Sequence, residues 1–192
     1  LLKREWSKQI VTKLMDNKVF YIIQTHSGTI PSRIIRLATR YKYSHVMISL
    51  DDSFSKMYSF GRRTVNNPLN GGFVVENMNG EFFEKFDKTE CRIYKFKITE
   101  EKYQLLVDTI AEYEKNPRKY NYDMIGLLLR FFKIKIKRKN HYVCSQFVAE
   151  VIDKSSIYKF NKPFEFVKPK DFDELSNKEI AYVGKLKEYH LQ

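Results

Sequence analysis

The sequence predicts an α+β domain, and three observations carry that prediction. Stretches rich in β-branched and aromatic residues, VFYIIQ (19–24), SHVMISL (44–50) and CRIYKFKI (91–98), read as strands. EEKYQLLVDTIAEYEKN (100–116) and VCSQFVAEVI (143–152) place apolar residues at helical spacing. The strands fall in a block between helices instead of alternating with them one for one, which favours a small antiparallel sheet. The chain has 192 residues, 43% of them hydrophobic, enough for one domain with a real core. Its 15 Phe and 13 Tyr are expected to supply much of that core.

Taken in order, LLKREWSKQIVTKLMDN carries Leu2, Trp6, Ile10 and Leu14 at helical spacing, so residues 1–18 read as a helical arm and 19–192 as the domain. VFYIIQ follows as the first strand, and Ser27-Gly28 make a turn. Pro31 suits the first turn of a helix running to about Arg40. SHVMISL and KMYSFG (56–61) pair across the turn Asp51-Asp52-Ser53. FVVEN (73–77) and GEFFEKF (80–86) read as further short strands. CRIYKFKI alternates, and its more apolar side, Tyr94, Phe96 and Ile98 with Arg92, is expected to face the core. Thr99 is placed to cap the next helix, and Asp123 to cap MIGLLLRFF (124–132). After the helix at 144–152, KPKDFDELSN (168–177) reads as a short helix and IAYVGKL (180–186) as the last strand.

The formal net charge is +12, which favours anionic partners such as acidic lipid or a cell-wall polymer, or else describes a solvated lysine-rich surface. The densest basic run, KIKIKRKNH (133–141), comes with no nucleic-acid-binding signature, so nucleic acid is not expected. Two cysteines do not make a disulfide framework, and free thiols in a reducing, cytoplasmic compartment are expected. No apolar run reaches the roughly 18 residues of a membrane span. LLKREW opens without a Met, as a piece of a longer product would, and no secretory signal is visible. The His and Cys residues are too scattered for a zinc site, and no glycine-rich phosphate loop is present, so neither metal nor cofactor is expected.

Reaction chemistry is suggested by HYVCSQFVAEVI (141–152). A lone free cysteine usually packs as a small hydrophobe, and Cys91, inside an alternating strand, fits that description. Cys144 instead falls where a helix begins, where free N–H groups favour a thiolate. A nucleophilic cysteine needs a base, usually His, and a polar group to orient that base. His26, His141 and His190 lie in turns or the tail. His45 begins a strand, which is a rigid platform for a base.

SHVMISL followed by KMYSFG resembles the His strand of NlpC-type papain-like cysteine hydrolases, and VCSQFVAEVI resembles their nucleophile helix. Here the His strand precedes the Cys helix, which is the order of the circularly permuted branch that includes the lecithin:retinol acyltransferase relatives. The resemblance spans roughly residues 19–183. It implies a permuted papain-like fold, a small antiparallel sheet or half-barrel packed against helices that carry the nucleophile. It implies Cys144 as nucleophile and His45 as base. Where the family usually has His, Asn, Gln or Glu as third residue, laying the two strands together places Ser59, with Tyr58 as the alternate. Gln24 and Tyr43 are expected to line the substrate pocket. The implied activity is a thiol hydrolase, an amidase or peptidase forming a thioester acyl-enzyme, acting as a monomer on a peptide, amide or acyl-lipid substrate. The alternatives are an acyltransferase or lipid-modifying enzyme at a membrane surface, suggested by MIGLLLRFF beside the basic run, and a basic binding module without activity.

Overall fold

The structure, a computed structural model, describes residues 18–131, 134 and 138–191. The helix expected before residue 18 and most of the basic run 133–137 lie outside the described residues. The remainder is α+β, built on one mixed eight-stranded sheet.

Its strands are β1 (Lys18–His26), β2 (His45–Ser49), β3 (Met57–Thr64), β4 (Asn67–Glu76), β5 (Glu90–Ile98), β6 (Asn121–Tyr122), β7 (His141–Tyr142) and β8 (Lys178–Lys185). They lie in the order β7-β6-β4-β3-β2-β1-β5-β8. All neighbours are antiparallel except β6 and β7. The sheet is therefore larger than the small antiparallel one expected from the sequence. Two-residue strands such as β6 and β7 carry no periodic signal of their own, and only their neighbours define them.

The helices are α1 (Ile30–Thr39), α2 (Glu81–Lys85), α3 (Glu100–Lys115), α4 (Met124–Phe131) and α5 (Cys144–Lys154). Pro31 sits in the first turn of α1. Thr99 caps α3, its hydroxyl accepting from the Lys102 N–H, and the Asp123 carboxylate accepts from the Gly126 N–H at the front of α4. GEFFEKF forms α2 and not a strand. Phe83, at its centre, is buried on one side of the turn while Glu81, Glu84 and Lys85 stay in solvent. A run this short does not separate helix from strand by period.

Both faces of the sheet are covered around β1, while the edge strand β8 is mostly exposed. β1 sits between β2 and β5, and seven consecutive residues of it, Phe20 to His26, are buried. A strand buried on both sides reads as a continuous apolar run, as VFYIIQ does. On one face Phe20, Ile22, Val46, Ile48, Tyr58, Phe60, Tyr94 and Phe96 pack against Leu106 and Ile110 of α3 and Phe147, Val151 and Ile152 of α5. On the other, Tyr21, Ile23, Met47, Met57, Cys91 and Ile93 meet Phe54, Met78, Phe83, Tyr182 and Leu186. The Tyr94 side of β5 does face a core, as expected, but the Cys91 side faces a second one.

Two polar clamps fix the chain around the future site. A short 3-10 helix, Pro169–Glu174, is tied to the sheet through Asp173, which accepts from Tyr41, Tyr94, Arg92 and Gln24. Lys162 pairs with Asp171 of the same 3-10 helix.

Candidate active site

α5 begins at Cys144, and its N-cap, Val143, is extended and offers no side-chain cap. The first N–H groups of the helix are thus left to other acceptors. Those of Cys144 and Ser145, and that of Val46 on β2, lie near the Cys144 sulfur and favour its charged form. The helix is buried along most of its length, which presses this end onto β2 and β3. Burial nonetheless pushes the thiol up to about 11, with the three N–H groups opposing and the charge of Glu76 adding to the rise. The resting sulfur is a protonated thiol.

His45 is the residue before Val46, so its backbone adjoins the N–H that meets the sulfur. Its ring Nε2 lies 3.9 Å from Oε1 of Glu76, and its side chain is 24% exposed against 14% for the glutamate. Burial, helped by Arg62, lowers the imidazole to about 4. Burial likewise raises Glu76 to about 7, partly offset by Arg62. Oε2 of Glu76 is buried without a hydrogen-bond partner among the described residues. A Cβ built on Gly61 would sit 3.0 Å from Glu76 Oε1 and 3.7 Å from His45 Cε1, so the glycine leaves the space that this pair occupies.

Cys144 and His45 open onto two adjoining cavities. The larger, about 470 Å³, is lined by Cys144, Ser145 and the 162–171 segment. The smaller, about 240 Å³, is lined by His45, Gly61, Arg62 and Glu76. Ile35, Ser44, Tyr122 and Leu127 belong to both walls, so the two form one cleft between α1, α4 and the ends of β2 and α5. No hydrogen bond joins Cys144 to His45 among the described residues. Such bonds are often long in a resting site and tighten only around substrate.

The remaining expected site residues fall elsewhere. Ser59 is wholly buried, and its hydroxyl donates to the Val46 carbonyl at 2.7 Å. It braces the strand behind the sulfur and does not orient the imidazole; the carboxylate beside His45 is that of Glu76. Tyr58 belongs to the helix-side core, stacked near Phe73 with 6.4 Å between ring centres. The step of one residue along β3 turns it to the opposite face from Ser59. Tyr43 is 1% exposed, its hydroxyl directed at the Cys91 carbonyl and its ring under Arg92. Gln24 is wholly buried, donating to the Pro169 carbonyl and to Asp173 and accepting from Tyr41. Neither Tyr43 nor Gln24 lines the cleft; Thr25, the neighbour of Gln24, does.

Two groups near the cleft were not singled out from sequence. Glu76 closes an otherwise apolar strand segment, and a lone acid after Phe73, Val74 and Val75 was the only signal it gave. Ser44 hydrogen-bonds Ser32, which in turn contacts Nδ1 of His26, so a hydroxyl chain ties α1 to the start of β2. His141 lies in β7 with Nδ1 against the Lys139 carbonyl. Cys91 and Cys144 are both free. Among the described residues there is no group of three or more His, Cys, Asp or Glu placed to hold a metal ion, and no helix long and apolar enough to cross a membrane.

Comparison with protein-family models, with curated proteins and with solved structures finds no match to this chain.

Proposed function

We propose that this chain is a thiol hydrolase, an amidase or peptidase of the permuted papain-like kind. The observation that carries the reading is the placement of Cys144. It stands at an uncapped helix front with three backbone N–H groups near its sulfur, against the strand that begins with His45, and in the wall of a cleft. His45 acts as general base and Glu76 holds the imidazole and balances its charge when protonated. This reading replaces Ser59 with Glu76 in the third role.

The chemistry follows from the resting protonation states. Thiol and imidazole are both neutral, so the attacking thiolate forms only as His45 takes the sulfur's proton. The sulfur then adds to an amide or ester carbonyl lying in the cleft. The N–H groups of Cys144 and Ser145 face the developing oxyanion, where fixed donors are worth most. His45 returns the proton to the leaving amine or alcohol, a thioester remains on Cys144, and water, deprotonated by His45, releases the acid.

Cys144→Ala is expected to abolish turnover of chromogenic ester and amide substrates; an unchanged rate ends the proposal. Iodoacetamide labelling of Cys144 in the intact protein is expected to keep accelerating as pH rises past 9 toward the thiol's value of about 11. A plateau already reached near neutrality would instead indicate a preformed thiolate–imidazolium pair and remove the general-base role.

A second reading, acyl transfer to an acceptor other than water at a lipid surface, is favoured by one observation: Ile30, Ile34 and Leu37 of α1, beside the cleft, are exposed. Product analysis with and without added amine or alcohol acceptors separates the two.

A further inference from the structure

α1 carries two faces with opposite characters. At 100° per residue, Ile30, Ile34 and Leu37 fall on one stripe of the helix. They are 75%, 55% and 81% exposed. Arg33 and Arg36, both exposed, run along one side of that stripe, and exposed Arg40 ends it in a left-handed turn. The segment 30–40 holds no acidic residue. On the opposite side, Ser32, Ile35 and Thr39 face the cleft, and Ile34, from the edge of the stripe, reaches its rim. α4 borders the cleft through Met124 and Leu127, and it too shows an exposed apolar residue, Ile125, at 55%.

An apolar stripe that lies open to solvent at the mouth of a cleft calls for a partner. The stripe's arginine border narrows the choice. A second copy of this chain, packed by a two-fold axis, would bring the same arginine rows together. An anionic bilayer offers acyl chains to the isoleucine and leucine side chains and headgroup phosphates to the guanidinium groups, and it matches the +12 net charge of the chain.

We propose that α1 is a docking surface for an anionic lipid bilayer, lying in the interface with Ile30, Ile34 and Leu37 inserted and Arg33, Arg36 and Arg40 on phosphates, so that the cleft mouth is held toward the membrane. This goes beyond the thiol chemistry and stands without it.

The test is flotation of the full chain with phosphatidylcholine vesicles with and without phosphatidylglycerol, at low and at high salt. Binding is expected only to the anionic vesicles and is expected to weaken with salt. The double variant Ile30→Gln with Leu37→Gln keeps every charge and removes the two most exposed apolar side chains. It is expected to lower binding about tenfold or more. Arg36→Glu alone is expected to lower it several-fold. Cys144→Ala is expected to bind as the parent does, which separates this proposal from the catalytic one. All these side chains except Cys144 are solvent-exposed, so unchanged melting temperatures confirm that loss of binding is not loss of fold. No flotation with either vesicle overturns the proposal. So does binding that the double Gln variant leaves intact, which would be charge spread over the surface. Self-association that Leu37→Gln abolishes, without vesicle binding, would make the occupant a second copy and also overturn it.

Discussion

Cys91 and Cys144 are both free and both almost wholly buried, at 0% and 4% exposure, yet they face different surroundings. Cys91, near the start of β5, points into the second core, among Ile23, Ile93 and Tyr182. Burial raises its thiol to about 12, and one backbone N–H, that of Gly184, opposes the rise. Burial raises the Cys144 thiol as well, but this residue begins a helix, has three backbone N–H groups near its sulfur and meets a cleft. Burial alone therefore does not distinguish a reactive cysteine from a packing one. What distinguishes them is whether the sulfur's neighbours are apolar side chains or unspent donors beside an opening.

The sharpest way to break this contrast is to delete each sulfur. Cys144→Ala is expected to lower kcat by at least about a thousandfold, the scale seen when a nucleophile is removed. Cys91→Ala is expected to leave kcat unchanged and to cost about 1–3 kcal/mol in urea unfolding, because it opens a small void in a packed core. Loss of activity in the Cys91 variant with its fold intact would erase the distinction.

Next in size is the base. His45→Asn keeps a polar group of similar reach but cannot accept the thiol proton, and a fall of about a hundred- to ten-thousandfold in kcat is expected. An effect confined to KM would demote His45 to a cleft lining.

Glu76 sharpens the comparison by linking activity to stability with opposite signs. Its carboxyl is held up at about 7 against an ordinary 4.5, chiefly by burial. The fold therefore favours the protonated form: its contribution is complete below about 4.5 and is lost as pH rises through about 7. Glu76→Gln removes that loss. It is expected to stabilise the protein by on the order of 1–3 kcal/mol above pH 7 and by little at pH 4.5, while slowing turnover about tenfold by leaving imidazolium without a counter-charge. Thermal melts at several pH values, run beside kinetics, check both. Melting temperatures that shift equally at every pH would show that Glu76 is not titrating in the folded site.

The smallest effect expected belongs to Ser59. Ser59→Ala leaves the Val46 carbonyl without its donor, at about 1–3 kcal/mol of stability, and KM should hold. A drop in kcat that exceeds what partial unfolding explains would return Ser59 to the reacting centre.

Local signals were legible wherever one residue sets one backbone event. Thr99 and Asp123 as helix caps, Pro31 in the first turn of α1, and the β-branched runs that became β1, β2 and β5 all follow from side-chain chemistry within a few positions. The helix front at Cys144 carries no such cap and was legible only through the helical spacing of Phe147, Val148, Val151 and Ile152 behind it. The third member of the site was not. Aligning SHVMISL with KMYSFG by sequence places Ser59 near His45, but the pairing of Ile48 with Tyr58 continues to put Gly61 opposite His45. That position has no side chain, and the neighbouring carboxylate arrives from β4, a strand whose placement depends on the β3–β4 register. The places of Gln24 and Tyr43 depend on orientation. Each looks like a strand-end polar residue, and each is consumed by a partner distant in sequence, Pro169 for Gln24 and Cys91 for Tyr43.

The sequence by itself determined the α+β class, most of the elements, and the two candidate groups whose chemistry is intrinsic, the Cys144 sulfur and the His45 imidazole. Helix fronts and apolar alternation are written into runs of ten residues or fewer. Only the tertiary structure decided that Glu76 lies beside His45, that the Cys91 side of β5 meets a second core, and that α1 turns an apolar stripe outward. Those outcomes depend on register between strands and on which face each helix spends against the core, and both are settled by contacts between residues far apart along the chain.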